Sequence, residues 1–192
     1  VNALPGGGAE IFAPRVRKII APQKISGERW LDIMRTAHRM GLKTNATMLY
    51  RHRENIDDII EHLFHIRDLQ DETSGFKTFV PLPFHEEKTR IEANRPVAGY
   101  DDIRVYATSR IVLHNVPHLK ALWMYLGEKM AQVLLRFGVD DISGTYDNEK
   151  IVHTAGASTP DFGSEAFLKR LIEEAQLVPV RTTAGYESVT PL

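Results

Sequence analysis

Apolar runs of strand type alternate with apolar stripes of helical spacing along the chain. The run from Lys43 to Tyr50 is β-branched and apolar and then turns abruptly polar, which is typical of a buried parallel strand that ends at a functional rim. An apolar helical stripe precedes it, from an N-cap at Ser26 to a stop at Gly41, and another follows it, capped by Asn55. The pattern therefore predicts one strand between two amphipathic helices.

The same alternation continues to both ends of the chain. Further strands are predicted within residues 2–12, from Phe76 to Phe84, from His118 to Leu126, from Asp140 to Tyr146 and from Val178 to Val180. Further helices are predicted at residues 14–20, from Asp101 or Asp102 to Val116, from Met130 to Phe137 and from Ser164 to Gln176. Pro81 and Pro83 cannot donate ladder hydrogen bonds, so the second long strand is expected to end early.

The spacing of these elements sets the fold class. Strand and helix alternate at about 30 to 40 residues per unit, the length of a βαβ unit, which predicts an α/β fold with a parallel sheet and outer helices. About five strands are predicted, whereas a closed β/α barrel has eight. The chain is therefore expected to be the C-terminal part of such a barrel or an open α/β sheet.

Composition narrows the class of protein. The 192 residues have 43% hydrophobic content and a net charge of −1, so nothing favours binding to nucleic acid or to an anionic membrane. No apolar run is long enough to span a bilayer and no signal peptide is visible, so a cytoplasmic location is expected. The chain contains no cysteine, which excludes disulfides, thiolate nucleophiles and cysteine-ligated clusters within it.

Polar side chains follow the two longest predicted strands. His52 and Glu54 come after the first, and His85 and Glu86 come after the second. The carboxyl ends of barrel strands carry the chemistry of such enzymes, so these side chains are candidates for one site. Taken alone, the same residues are equally those of solvated loops, and the triple glycine before Ala9 is equally a tight turn.

Several stretches resemble one group of radical S-adenosylmethionine enzymes, which holds aminofutalosine synthase, the dehypoxanthine futalosine cyclase and the deazaflavin (FO) synthase components. The stretches are Leu4–Phe12, Thr44–Glu54 and Leu69–Thr73, with Phe79–Glu87 and Gly127–Lys129 most similar to aminofutalosine synthase. The resemblance runs from about Leu4 to Ala157. It implies a partial radical S-adenosylmethionine β/α barrel of the TIM type over residues 1–157, with residues 158–192 forming a C-terminal helix and tail that pack on it.

The resemblance also implies a reaction. In the group, a [4Fe–4S] cluster held by three cysteines, supplied with an electron by a reductant, cleaves S-adenosylmethionine to a 5′-deoxyadenosyl radical. In aminofutalosine synthase this radical adds to 3-[(1-carboxyvinyl)oxy]benzoate, an enolpyruvyl benzoate ether, and the product is 6-amino-6-deoxyfutalosine, a precursor of menaquinone. A small-molecule substrate is therefore expected.

The resemblance assigns roles to residues at the predicted strand ends and loops. The expected catalytic residues are His52 and His85; the expected cofactor-binding residues are Gly7, Gly8, Glu10, Asn45, Thr47 and Tyr50; and the expected substrate-binding residues are Glu86, Lys129, Thr145 and His153. No metal site is expected within the chain. Each assignment competes with a structural role, such as a hydrogen bond in the core for Asn45 and Thr47 or an exposed position for Lys129.

Two departures from the family pattern leave alternatives open. Arg51 stands where the family usually has glycine, so a position with positive φ would be strained. The cluster cysteines are absent, so the chain, which starts at Val1 inside a predicted strand, is expected to be the C-terminal half of a longer protein and inactive alone. The alternatives are a fragment of the cyclase or of an FO synthase component, or a non-catalytic half-barrel that forms homo-oligomers.

Overall fold

The computed structural model describes residues 3–94, 98–147, 162–187 and 189–192. The helices are α1 (Pro14–Ile20), α2 (Gly27–Arg39), α3 (Ile56–Thr73), α4 (Gly99–Val112), α5 (Trp123–Leu126), α6 (Glu128–Leu134) and α7 (Glu165–Glu174). The strands are β1 (Ala3–Leu4), β2 (Lys43–Tyr50), β3 (Phe76–Pro83), β4 (His118–Leu119), β5 (Tyr146–Asp147), β6 (Phe162–Gly163), β7 (Val180–Thr182) and β8 (Val189–Pro191). No helix of the described residues is long and apolar enough to cross a membrane.

A parallel sheet with helices forms the body of the molecule. Its strand order is β1-β2-β3-β4 and every pairing is parallel, as the alternation of strands and helices predicted. A single parallel bridge between Lys120 and Asp141 continues the sheet beyond β4. Among the described residues the sheet has four strands, where about five were expected. The α/β class with a parallel sheet is confirmed, and the barrel stays a prediction.

Local capping placed two of the helices as predicted. Ser26 Oγ accepts from Arg29 N at 3.1 Å at the start of α2. Asn55 and Asp58 form a reciprocal capping box at the start of α3. These bonds satisfy backbone N–H groups that lack a partner inside the helix, which is why such short patterns identify helix starts.

The prediction that the two prolines end β3 early is wrong. The strand runs to Pro83, and Phe84 N still donates to Tyr50 O at 2.8 Å. Alternate residues of a strand direct their N–H groups to opposite neighbours, so positions 81 and 83 face β4 rather than β2. Since β4 pairs only with Thr78 and Phe79, no ladder bond is lost there.

The predicted strand from His118 to Leu126 is mostly wrong. Only its first two residues are extended, and Trp123–Leu126 forms a short helix. Short apolar runs do not separate strands from buried helical turns. The Trp123 ring is buried, and its Nε1 donates to Gly144 O at 3.2 Å. This helical turn is therefore stabilised by a residue that is distant in sequence.

The predicted strand from Asp140 to Tyr146 is also wrong, apart from the bridge at Asp141 and the two residues of β5, which pair antiparallel with β6. Two aspartates bond to nearby backbone instead. Asp140 Oδ1 accepts from Leu119 N at 2.8 Å, and Asp141 Oδ1 accepts from Ser143 N at 2.6 Å. Such bonds compete with a regular ladder.

The remaining element boundaries differ by a few residues. The helix predicted from Asp101 or Asp102 begins at Gly99, with Asp101 in its first turn, and ends at Val112 rather than Val116. The short C-terminal strand begins at Val180, where the predicted one ended. It pairs antiparallel with β8, so the chain ends in a hairpin.

The two faces of β2 are buried to different extents. Side chains at even positions from Thr44 to Tyr50 are buried, whereas Asn45, Thr47 and Leu49 are half-buried. The even side chains join the core, whose largest fully buried members are Trp123, Tyr50, Tyr106, Phe76 and Phe79. The odd positions form a second face, which we call the inner face, and this face carries two of the predicted cofactor ligands.

The C-terminal segment packs against elements that precede it. On α7, Leu168 and Leu171 are buried, and Gln132 Nε2 of α6 donates to Leu171 O at 3.0 Å. The turn of the terminal hairpin lies at the amino ends of the parallel strands, where the Tyr186 ring stacks on His118 at 3.8 Å. The predicted division of the chain at residue 157 falls among residues that are not described.

Candidate functional site

The glycine-rich segment Gly6–Ile11, here named the glycine loop, lies against the inner face of β2. Thr47 Oγ1 donates to Gly6 O at 2.8 Å, and Leu49 N donates to Glu10 O at 2.7 Å. A Cβ at position 6 would lie 2.5 Å from Asn45 O, and Gly8 has φ +90°. The close approach and the positive φ explain two of the three glycines.

The predicted cofactor ligands of the loop and of β2 are neighbours. Gly7 is exposed and Gly8 is half-buried. The Oδ1 atom of Asn45 is buried and has no hydrogen-bond partner among the described residues. A buried acceptor without a donor is unfavourable unless a ligand supplies one, so this part of the inner face suits a polar ligand.

Glu10 is oriented differently from the rest of this group. Its backbone has φ +48°, and its carboxylate forms an ion pair with Lys24. The predicted role of Glu10 in cofactor binding would require that ion pair to be shared or broken.

The rim loop, residues 50–55, follows β2 and is held by Glu54. Glu54 Oε1 accepts from Arg51 N at 2.6 Å, and Oε2 accepts from His52 N at 2.8 Å. Burial alone would raise the pKa of Glu54, but hydrogen bonds from the His52 side chain and from these two backbone groups lower it overall. The carboxylate therefore stays charged and fixes the turn.

His52, predicted to be catalytic, is only 2% exposed. Its Nε2 donates to Leu49 O at 2.8 Å, and its Nδ1 lies 2.7 Å from Arg53 N and 2.9 Å from Glu54 Oε2. Both ring nitrogens are thus used by the loop itself, and a proton-transfer role, which stays a prediction, would require the ring to release one of them.

Arg51 adopts φ +75°, the left-handed conformation that favours glycine. Its guanidinium forms an ion pair with Asp102 in the first turn of α4. Asp102 is 1% exposed, and its Oδ1 accepts from Tyr50 Oη at 2.8 Å. Burial raises the pKa of Asp102, and the Arg51 charge opposes that rise.

Tyr50 and Asp102 show what sequence patterns missed at the rim. Tyr50, predicted to bind cofactor, is buried on the helix side of β2, and burial raises the pKa of its phenol. The sequence indicates Asp102 only as a possible helix cap, and the one signal for its role at the rim is an acidic residue early in a helix that follows a strand.

His85 follows β3 and is half-buried. Its Nε2 donates to Tyr125 O at 3.0 Å. Burial lowers the pKa of His85, and the positive charge of Arg51 lowers it further, so the ring is neutral at pH 7 with its lone pair on Nδ1. The charges of Arg51 and Asp102 both influence the pKa of His85, so His85 lies beside the rim loop.

The predicted substrate ligands are more scattered. Glu86, Lys129 and Thr145 are exposed. Glu86 Oε2 accepts from Ala93 N at 2.7 Å, so it orders its own loop. His153 lies outside the described residues. Within the described ranges, no group of three or more His, Cys, Asp or Glu residues could hold a metal ion.

A cleft of about 560 Å³ opens on the outer side of the rim. It lies between the amino-terminal halves of α3 and α4, with Ile56, Ile59 and Val105 in its apolar wall and Arg51 at its edge. Because Tyr50 separates it from Asn45 and Thr47, it is distinct from the inner face. Four of the predicted cofactor ligands, Gly7, Gly8, Asn45 and Thr47, lie at the inner face, whereas Tyr50 lies on the opposite face of β2 and Glu10 turns to Lys24. We take the inner face as the candidate cofactor site, with His85 beside the rim loop as the candidate for proton transfer.

Comparison with known proteins identifies relatives over nearly the whole chain. It is 46% identical over 193 residues to an aminodeoxyfutalosine synthase of Thermus thermophilus, which covers 98% of this chain and 52% of the relative. It is 40% identical over 199 residues to a 5-amino-6-(D-ribitylamino)uracil–L-tyrosine 4-hydroxyphenyl transferase of Methanosarcina barkeri, covering 100% of this chain and 53% of the relative. The chain thus spans about half the length of these curated relatives.

A family model also matches. The model described as the CofH/MqnC C-terminal region covers residues 73–191, which is more than half of the chain. The matched range includes β3, His85, α4 with Asp102 and the terminal hairpin. The chain therefore belongs to the CofH/MqnC C-terminal region family.

Proposed function

We propose that this chain is part of a radical S-adenosylmethionine enzyme, and specifically of an aminofutalosine synthase. The observation that carries the proposal is the 46% identity to an aminodeoxyfutalosine synthase over 98% of the chain. The enzyme would join the 5′-deoxyadenosyl group of S-adenosylmethionine to 3-[(1-carboxyvinyl)oxy]benzoate and form 6-amino-6-deoxyfutalosine, in menaquinone biosynthesis. Methionine would be released, and the enolpyruvyl carboxylate carbon would leave as CO2 or bicarbonate. A reductant and residues beyond this chain would be needed.

The family implies two groups, a [4Fe–4S] cluster and S-adenosylmethionine, and the residues of this chain fit only the second. Iron–sulfur clusters are held by cysteine thiolates, and the 192 residues contain none, so they do not fit a [4Fe–4S] cluster. S-adenosylmethionine, when bound, supplies the adenosyl group. The inner face fits this ligand because it offers the unpartnered Asn45 Oδ1 beside the glycine loop.

The chain's own residues would bind and orient the reactants. Asn45 Oδ1 would accept from a hydroxyl or ammonium group of S-adenosylmethionine, which would satisfy a buried acceptor. His85, neutral and with a lone pair on Nδ1, would accept a proton or hydrogen bond from the substrate beside β3. Lys129 would supply a cation to a substrate carboxylate.

A product assay tests the proposal. The longer protein that contains this chain is purified without oxygen, reduced, and supplied with S-adenosylmethionine and 3-[(1-carboxyvinyl)oxy]benzoate, and the products are identified by mass spectrometry. We expect 6-amino-6-deoxyfutalosine. Formation of 5′-deoxyadenosine without this product, across substrate concentrations, would reject the assignment to aminofutalosine synthase.

A second candidate rests on a separate observation. The chain is 40% identical over its full length to a 5-amino-6-(D-ribitylamino)uracil–L-tyrosine 4-hydroxyphenyl transferase, and the family model that matches it is described as the CofH/MqnC C-terminal region. The same protein is therefore incubated with L-tyrosine and 5-amino-6-(D-ribitylamino)uracil. A hydroxyphenyl adduct would favour this candidate, and conversion of dehypoxanthine futalosine in a third reaction would favour the cyclase.

The non-catalytic alternative is tested with the same samples. A half-barrel that acts only by self-association would form a stable homo-oligomer in light scattering and would not bind S-adenosylmethionine. The isolated 192-residue chain is expected to release no 5′-deoxyadenosine, and a measurable rate would contradict that expectation.

A further inference from the structure

Arg17 in α1 is a buried cation that no acidic side chain contacts directly among the described residues. It is 5% exposed, whereas its neighbour Lys18 on the same helix is exposed. Burial lowers the pKa of Arg17 and the nearby Glu10 charge opposes this, and an arginine remains charged at neutral pH in such a site. A buried charge must be stabilised by hydrogen bonds.

Those hydrogen bonds go to backbone carbonyl groups, three of them in the glycine loop. Arg17 Nη2 donates to Gly8 O at 2.8 Å, and Nη1 donates to Ala9 O at 2.5 Å and to Ile11 O at 3.3 Å. The Nε atom donates to Ile25 O at 2.6 Å. The planar guanidinium thus gathers several loop carbonyls on one side.

The other three carbonyls of the glycine loop are also occupied. Gly6 O accepts from Thr47 Oγ1 at 2.8 Å, Gly7 O accepts from Trp30 Nε1 at 3.2 Å and Glu10 O accepts from Leu49 N at 2.7 Å. Every carbonyl from residue 6 to residue 11 therefore has a donor from the protein.

In contrast to the carbonyls, the N–H groups at the tip of the glycine loop are not bonded to the part of the protein that the structure describes. Neither Gly7 N nor Gly8 N donates to any acceptor among the described residues. Gly7 is exposed, and a Cβ there would meet nothing within 4 Å. With the carbonyls turned into the protein and an arginine behind them, the loop offers donors and positive potential, which suits a carboxylate.

We propose that Arg17 is a positioning residue that fixes the glycine loop so that Gly7 N and Gly8 N bind the carboxylate of the ligand. The identity of that ligand as S-adenosylmethionine rests on the proposed function. Arg17 touches the loop only through its carbonyls and would not contact the ligand. Lysine cannot replace it, because an ammonium group does not reach several carbonyls in one plane.

Two of the three loop anchors that Arg17 does not touch, at Trp30 and Leu49, give a readout for the positioning role of Arg17. Hydrogen exchange is measured by NMR at the indole N–H of Trp30 and the amide of Leu49 in the full chain. The indole N–H of Trp123, bonded to Gly144 O at 3.2 Å, is an internal control far from the loop. Arg17→Ala and Arg17→Lys are compared with Lys18→Ala, a substitution on the exposed face of α1.

We expect exchange at Trp30 and Leu49 to rise by about tenfold or more in both Arg17 variants, since local opening replaces the anchored state. Trp123 and the Lys18→Ala protein should be unchanged. Guanidinium ion at a concentration well below denaturing levels should restore the slow exchange in Arg17→Ala. Unchanged exchange at both anchors, or an equal rise at Trp123, would overturn the positioning role.

The second part is tested on the unaltered chain. It is titrated with S-adenosylmethionine and with 5′-methylthioadenosine, which lacks the amino-acid carboxylate, while the amide signals of Gly7 and Gly8 are followed. We expect shifts with the first compound only, and weaker shifts in Arg17→Lys. Equal shifts with both compounds would overturn the carboxylate assignment. Loosened anchors with no shift for either would leave Arg17 as the loop's anchor and count against S-adenosylmethionine as the ligand.

Discussion

The glycine loop follows β1 and packs on β2, and the rim loop follows β2 directly. The two loops are held in place by different means. The glycine loop has a glycine at position 6, where a Cβ would lie only 2.5 Å from Asn45 O of β2, and donors from Arg17, Trp30 and Thr47 bond to its carbonyls. The rim loop instead carries a bulky residue, Arg51, at φ +75° and offsets that strain with an ion pair.

The difference indicates which loop can accept single substitutions without a compensating change elsewhere in the chain. The rim loop depends on the ion pair between its Arg51 and Asp102 of α4, so these two residues must change together. The glycine loop depends on backbone geometry and on many small bonds, so its positions tolerate changes one by one according to the space around each.

Acid should remove support that both loops share, and we expect this effect to be the largest. His38 bonds to Thr44 Oγ1 at 2.8 Å and His62 Nε2 donates to Thr47 O at 3.0 Å, so both hold β2. Burial lowers the pKa of His38 to about 4 and of His62 to about 3. Because the folded pKa values lie below the unfolded value, the stabilisation is present above about pH 6.5 and is lost as pH falls towards 4.

The loss should be on the order of 3 kcal/mol for each histidine, measured as the free energy of unfolding in urea between pH 7 and pH 4. His38→Gln and His62→Gln should each flatten this pH dependence. His65→Gln, an exposed change on the same helix as His62, should leave it unaltered. Parallel curves for all four proteins would contradict the role of the buried histidines.

Removal of Asp102 should affect the rim loop alone. Asp102→Ala leaves the Arg51 charge partly buried without its partner, and we expect a loss of about 3 kcal/mol in the free energy of unfolding. Asp68→Ala, an exposed aspartate of α3, is the matched control and should change little. A loss below about 1 kcal/mol would show that solvent already screens the pair.

The contrast between the loops also explains what could be predicted from sequence. Strand β2 and the caps at Ser26 and Asn55 were predicted because each depends on residues a few positions apart. The glycine loop was predicted from its residue types, since few residues other than glycine tolerate such close approach. These features are local, so the linear pattern contains them.

The supports that act over long distances in sequence were not predicted. The partner of Arg51 is 51 residues away, and the spacing of charges gave no indication of it. Arg17 lies in a helix with Arg15 and Lys18, and nothing in the pattern distinguishes the buried cation from its exposed neighbours. Similarly, the helical turn at Trp123 depends on Gly144, whose approach the apolar run does not encode.

A pair of alanine substitutions tests the geometry of the glycine loop. Gly6→Ala places a Cβ 2.5 Å from Asn45 O, and we expect a loss of about 1 to 3 kcal/mol because neither backbone can move away easily. Gly7→Ala meets nothing within 4 Å and should change stability by less than about 0.5 kcal/mol. Both are measured by urea unfolding, and equal effects at the two positions would contradict the close approach of β2.

The smallest predicted effect concerns the backbone strain at Arg51 and carries an unusual sign. Arg51→Ala and Arg51→Gly remove the same ion pair, but only glycine adopts φ +75° without strain. Glycine is ordinarily the less stable of the two because it loses more entropy on folding, yet here Arg51→Gly should be more stable than Arg51→Ala by about 0.5 to 1 kcal/mol. The difference is measured in urea at pH 7. If Arg51→Ala is the more stable variant, the left-handed conformation at the rim is not held by the fold, and the comparison between the two loops loses its basis.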